Sequence, residues 1–561
     1  MAPIFVQSPP KLGNQYLDDP LLGEFLDRTL PPGVRREIDP QLDELGRLAG
    51  GELYELQLAD RLNEPRLVQW DAWGNRVDRV ELTPLWTRCA RLAAEHGLVA
   101  IPYEQRHGWQ SRVHQFAAVY LFHPSSDVYT CPLAMSDGAV RTLLDVGDGA
   151  LVARAVSRLT SRDPAWAWTS GQWMTEASGG SDVGNSQTEA VPQPDGSWRL
   201  YGKKWFTSAV TSEMALALAR PAGRGPGGRH LALFYIEVRD HDGTLNGIRV
   251  ERLKDKLGTR KVPTAELLLD GTIAALVGEP RHGTQAIEPM LAVTRAWNSI
   301  SAVSFMRRGL ALARAYAHER SAFGRRLAEL PLHVDTLDGL EAETRGAFLL
   351  AFELVGLMGR READEITADQ RALLRLLTPI AKLLTAKQAV AVMSEVVESF
   401  GGAGYVEDTG LPLLLRDAHV LPIWEGTTNV LALDALLRSH LARGLEAWER
   451  RVDECLQSVR HDALAASGRI ARTAVEHVAA VVRAAGDNVS SLQSEARRIA
   501  VTLGRALELA LLVEHAQWVI DHRDAGSGVD IARRFASHGV DALDRSAWLA
   551  SPEPAGSSRS T

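Results

Sequence analysis

Cysteine is scarce. The 561 residues hold three, Cys89, Cys131 and Cys455, odd in number and far apart. That spacing excludes a disulfide framework and a CxxC metal knuckle, and it suits a reducing compartment. A basic excess is also lacking: Lys+Arg number 62 against 70 Asp+Glu, giving a formal charge of −8 and a pI of about 6.1. The whole chain therefore has no positive field for gripping nucleic acid, which leaves only a local patch. Long apolar runs are missing too, since the richest, Ala347 to Met358, is interrupted by Glu353. That falls short of the ~18 residues a membrane span needs. The N-terminus shows no basic segment followed by an apolar core, so no secretory signal is read. Together these absences predict a cytoplasmic protein with no membrane role.

What is present is the mixture of an ordinary globular protein, 45% hydrophobic and 24% charged with 47 Gly and 26 Pro. At roughly 150 residues per domain, three or four domains are expected. Residues 1–40, rich in Pro, Asp and Gly, read as an irregular extended arm. Helical spacing of apolar residues predicts a helical domain over 41–164. Between 165 and 280 the pattern changes to short β-rich runs such as SWRLYGKKWFTS and HLALFYIEV, separated by Pro-Asp-Gly-Ser and a Gly/Pro loop. An antiparallel sheet or small barrel is predicted there. Periodicity near 3.6 then returns over 285–322, 333–361, 368–400 and 423–440, forming a bundle within 281–440. A further helical block covers 441–545, and the Pro/Ser-rich tail 546–561 reads as disordered. The fold class is mainly α with an inserted β-domain.

Four segments carry chemistry. Met174–Asp182 (MTEASGGSD) sets hydroxyls around a Gly pair, a loop able to hold a heterocycle edge and phosphate oxygens, or simply a surface turn. In Gly202–Ser208 (GKKWFTS), strand alternation puts Trp205 and Thr207 on one face, an indole plane beside a hydroxyl. A strand Trp is more commonly core. In Leu421–Asn429 (LPIWEGTTN), Glu425 lies between Trp424 and Gly426 at the start of the predicted helix. A desolvated carboxylate makes a base usable near neutrality, whereas in a first helical turn it would be a capping acid. Arg320 in RSAFG and the Gly401-Gly402 turn after Glu398 could neutralise or closely approach a pyrophosphate, or could merely end helices.

In order and separation these segments, with LKDKLGTR at 253–260, ERSAFG and GGAGY, resemble the flavin-dependent acyl-CoA dehydrogenase family over about residues 50–440. The long N-terminal segment, RLKDKLGTR and the extra helical block resemble its AidB branch. The resemblance implies an N-terminal helical domain, a middle β-domain and a C-terminal four-helix bundle, with FAD between the latter two. It also implies a homotetramer built as a dimer of dimers. Position by position, it implies that Met174, Thr175 and Ser181 contact the flavin and its phosphates. Trp205 would pack on the isoalloxazine, and Thr207 would hydrogen-bond near N5. Arg320, Phe323, Glu398, Gly401 and Gly402 would reach the FAD of a neighbouring subunit, and Thr427 and Asn429 its ADP portion. Trp424 and Arg260 are the implied substrate contacts.

Glu425 matches the catalytic base. Some relatives place the base at the position of Thr294, which cannot serve. The implied reaction is α,β-dehydrogenation of an acyl-CoA, with Glu425 taking the α-proton while a hydride passes to flavin N5. Electron-transfer flavoprotein is the implied acceptor. Trp424 stands where a tyrosine is common, Glu398 where Gln is common, and Pro331 where many members carry Gln. The departures at Glu398 and Pro331 suit the AidB branch and low turnover.

Rival readings are a fatty-acyl-CoA sequestering protein and a DNA-protecting protein. Between Leu441 and Asp541 there are 13 Arg, no Lys and 14 Asp+Glu. That interleaving favours solvated helix faces over a phosphate grip.

Overall fold

A computed structural model describes residues 7–486, 488–523 and 527–544; the expected disordered tail lies outside them. The chain divides into two compact units: Met1–Leu337 with Ala351–Ile366 and Thr385–Thr427, and Asp338–Leu350 with Thr367–Leu384 and Thr428–Thr561.

In the first unit the expected extended arm is largely helical, with helices over Pro20–Thr29 and Pro32–Gly50. Proline count misled here, because Pro at the first turn of a helix removes no needed donor. Both helices begin on proline, and Asp19 caps the first by accepting from Leu22 N–H. The same carboxylate accepts from the Tyr120 hydroxyl at 2.7 Å and Arg307 Nε at 3.0 Å, tying the cap to two other helices. A hairpin, Arg66–Trp70 with Arg76–Glu81, interrupts the predicted helical region. Its half-exposed strands left too little apolar alternation to be read.

The β-domain is a seven-stranded sheet. The Met214–Pro221 strand pairs with Ser170–Trp173, Glu189–Pro192 and Ala232–Glu237. Trp198–Thr207 pairs with Glu189–Pro192 and Ala265–Val277, and the latter reaches back to Ala232–Glu237. A circuit of five strands closes, and Ser170–Trp173 and Ile248–Leu253 branch from it, each paired along one side. Trp173, Leu200, Phe234, Ile236, Leu267 and Leu269 fill the interior.

Long helices follow at Glu288–Glu319, Pro331–Glu362 and Ala368–Ser399. The third is long and apolar enough to span a membrane by composition, against the sequence reading; 78% of its apolar window is buried within the protein. The predicted helix over 423–440 begins only at Thr428 and ends at Leu437. Glu425 therefore lies in the turn before it.

In the second unit the helices Leu441–Gln457, Asp462–Ala485, Ala496–Arg523 and Ser527–Ser537 pack together. Their arginines are paired with acids: Arg450 with Asp369 at 3.0 Å, Arg451 with Glu514 at 3.2 Å, Arg472 with Asp453 at 2.7 Å and Arg505 with Glu343 at 2.9 Å.

Candidate active site

The Met174–Asp182 loop leaves the barrel after the Ser170–Trp173 strand and is fixed from beneath by Glu176. That carboxylate, 4% exposed, accepts from Gln187 N at 2.6 Å, from Thr188 N at 3.2 Å and from Thr188 Oγ1 at 2.6 Å. Lys204, 0% exposed, donates to it at 2.7 Å and to the Leu218 carbonyl at 2.8 Å. Burial pushes the Glu176 carboxyl up, but Lys204 and the Thr188 and Gln187 donors outweigh it and hold the group below its ordinary value. Trp205 N–H donates to the Thr175 carbonyl at 3.0 Å. The two segments expected to face a flavin are thus one platform. A Cβ on Gly180 would stand 2.9 Å from Thr175 Oγ1, so only glycine lets the loop fold over its own hydroxyl.

One geometric expectation fails. The register of Trp198–Thr207 against Ala265–Val277 shifts between Lys204 and Thr207, a bulge that breaks the alternation. Lys204 and Thr207 are the buried pair, while Trp205 is half-buried. Lys254 Nζ covers one Trp205 face at 3.4 Å from the ring centroid. The Thr207 hydroxyl donates to the Ala265 carbonyl at 2.7 Å, so it meets any further group as an acceptor. Arg260, expected against substrate, is bound to Glu64 and, at 2.8 Å, to Asp255. Phe323 is 96% exposed, and Ser181, Glu398, Gly401, Gly402, Thr427 and Asn429 are exposed; Met174 and Arg320 are partly buried.

Glu425 sits in a left-handed conformation (φ +55°) before Gly426 (φ +104°). Such backbone is uncommon for a non-glycine residue and needs support from around it. The Glu288–Glu319 helix gives that support. Thr294 Oγ1 donates to Glu425 Oε2 at 2.6 Å, Arg295 Nε donates to the Glu425 carbonyl at 3.3 Å, and one turn on Asn298 Oδ1 accepts from the Trp424 indole. Thr294, Arg295 and Asn298 were not read as partners, because a contact over some 130 residues leaves no local signal. The position that cannot be the base thus holds the carboxylate expected to be it. Thr294→Val withdraws this support and is expected to lower the rate of flavin reduction by an acyl-CoA about tenfold while leaving flavin bound, read by stopped-flow absorbance.

Cys131 feels the charge of Glu425, and Lys256 and then Asp417 extend that electrostatic neighbourhood. Burial pushes the Cys131 thiol up to about 12, with the charge of Glu425 adding to it, so the thiol stays protonated. Burial pushes the Lys256 ammonium down to about 8. It donates to the Val262 carbonyl at 2.7 Å and to Thr264 Oγ1 at 3.0 Å. Asp417, at the end of the Leu411–Ala418 helix, accepts from Thr259 N at 2.6 Å.

Burial, helped by Asp127, lifts the Asp417 carboxyl to about 7 from 3.8. The unfolded chain ionises first, so this group removes stability as pH rises from about 4 to 7, and its full penalty applies above 7. Asp417→Asn keeps the acceptor for Thr259 and cannot ionise. Its unfolding free energy, read by denaturant titration, is expected to exceed that of the parent at pH 8 by roughly 2–4 kcal/mol, with the gain vanishing below pH 4.

Comparison with known proteins matches four family models along the chain. They are the Adaptive response protein AidB N-terminal domain (7–163), the Acyl-CoA dehydrogenase middle domain (171–272), the Acyl-CoA dehydrogenase C-terminal domain (281–439) and the Acyl-CoA dehydrogenase 11 C-terminal domain-like model (443–546). Acyl-CoA dehydrogenase family member 11 of Caenorhabditis elegans is 43% identical over 95% of this chain and 88% of its own length. Putative acyl-CoA dehydrogenase AidB of Escherichia coli is 33% identical over 75% of this chain and 77% of its own. The crystal structure of C. elegans ACDH-11 in complex with C11-CoA superposes with a TM-score of 0.92 at 41% identity, covering 96% of this chain and 93% of that one.

Proposed function

Because the chain belongs to the acyl-CoA dehydrogenase family, as an AidB-like long form with an added C-terminal helical domain, we propose that it is an FAD-dependent enzyme that desaturates an acyl-CoA thioester with Glu425 as the base. The observation that carries this reading is the paired support of Trp424 and Glu425 by one face of the Glu288–Glu319 helix. Nothing in a merely structural turn calls for a carboxylate held in strained backbone by a hydroxyl and an arginine.

The residues present fit the cofactor. The Met174–Asp182 loop offers Thr175 and Ser181, and a backbone bond joins Trp205 to Thr175. FAD, when bound there, supplies the acceptor for the hydride leaving the β-carbon. The chain's own work is with the proton. Thr294 occupies Oε2 of Glu425, which leaves Oε1 to receive the α-proton. The adjoining Trp424, held by Asn298, walls the acyl site and excludes water. The ACDH-11 structure with C11-CoA supports an acyl-CoA as the ligand class here. Re-oxidation by electron-transfer flavoprotein and assembly as a dimer of dimers belong to the same reading. The paired arginines of the second unit speak against a DNA-gripping surface.

The test is an anaerobic panel of short, branched and long acyl-CoAs with the flavin spectrum followed. Bleaching is expected with at least one of them. A spectral shift without bleaching by any would replace dehydrogenation with sequestration.

A further inference from the structure

The Glu288–Glu319 helix also carries Arg308, 1% exposed, on the side of the N-terminal helices. Its Nη2 donates to the Ala49 carbonyl and to Ser125 Oγ, both at 2.9 Å. Its guanidinium lies 5.1 Å from the Tyr54 ring centroid. Nε and Nη1 are buried with no partner, and among the described residues no carboxylate pairs with this arginine. Burial pushes it down to about 10, which still leaves it charged at neutral pH.

A second buried group faces the same charge. His123, 0% exposed, lies two residues before Ser125 in one turn, and burial with the Arg308 charge pushes its imidazole down to about 3. Its Nδ1 lies 2.7 Å from Thr130 Oγ1, and its Nε2 has no partner. When Thr130 donates to Nδ1, Nε2 is a third buried N–H. Two unpartnered N–H groups of an uncompensated guanidinium are thus buried where no side-chain anion is supplied, and the His123 imidazole lies close enough to feel that charge. Buried charges are normally paired, and a guanidinium presents its N–H groups as a fork suited to an anion. Arg307, the next residue along, adds positive field and bonds Asp19 instead.

We propose that Arg308 and His123 form an internal site for a small monovalent inorganic anion of chloride size. The site is independent of the Glu425 turn and lies wholly within the first unit. Its occupant fixes the Glu288–Glu319 helix, and with it Thr294, against the N-terminal helices.

The experiment uses the flavin-loaded protein at constant ionic strength, exchanging gluconate for chloride and bromide. Chloride and bromide are expected to raise Tm by about 2–5 °C over gluconate, and the increment should vanish in Arg308→Met. Wild-type crystals grown in bromide should show an anomalous peak within hydrogen-bonding reach of Arg308 Nε or Nη1. This second arm needs no variant to fold. A Tm indifferent to the anion, or ordered water in place of bromide, overturns the proposal. Loss of acyl-CoA bleaching, by contrast, would touch only the catalytic reading.

Discussion

Glu425→Gln is expected to give a yellow protein of unchanged fold that no acyl-CoA bleaches. The substitution keeps the shape of the side chain and an oxygen able to accept from Thr294, so the turn and its strained backbone retain their supports. What is lost is a group able to take a proton. An acyl-CoA α-proton is far too weakly acidic to leave without a positioned base. Removal of that base should lower the rate of flavin reduction at least about a thousand-fold while leaving ligand affinity within a few-fold. Stopped-flow reduction and a ligand titration separate the two quantities. Reduction surviving within tenfold of the parent would falsify Glu425 as the base.

Lys204→Met is expected to produce the largest loss of stability of any single change near the site. Lys204 and Glu176 are 0% and 4% exposed, and together they pin the cofactor loop to the barrel. Removing the ammonium leaves Glu176 buried with only neutral donors, a situation worth about 3–5 kcal/mol of destabilisation. At neutral pH and moderate urea the variant should therefore unfold early and lose its yellow colour on gel filtration. Adding Glu176→Leu to Lys204→Met should return part of the stability, because the stranded charge goes with it. Flavin retention should not return, since an aliphatic side chain at that position cannot hold the Gln187 and Thr188 donors that shape the loop. If the double variant is no more stable than the single, the ion pair is not the staple described.

Much of this site was legible along the chain. WEG followed by hydroxyls, the MTEASGGSD loop and the KWFT strand each allowed a bland reading alone, and their order and separation pointed to the chemistry. The change from 3.6-residue to two-residue periodicity marked the barrel because side chains repeat differently on helices and strands. Reading failed where composition and geometry disagree. Two prolines at helix starts disguised the Pro20–Thr29 and Pro32–Gly50 helices as an arm. A single-residue bulge reversed the facing of Trp205 relative to Thr207. Arg260, placed beside the acyl chain by likeness alone, is held by Glu64 almost 200 residues away.

The sequence by itself determined the order of helical and β segments and the composition of the WEG turn and the MTEASGGSD loop, whose roles only a family resemblance suggested. Each depends on neighbours a few residues apart, where periodicity and turn residues act directly. Only the tertiary structure decided which groups meet: Thr294 on Glu425, Lys204 beneath the cofactor loop, Arg308 buried without an acid. The contacts of these groups join positions from 28 to 259 residues apart. They are set by how helices and strands pack and by the need to satisfy each buried charge, and neither leaves a mark on the local pattern of residues.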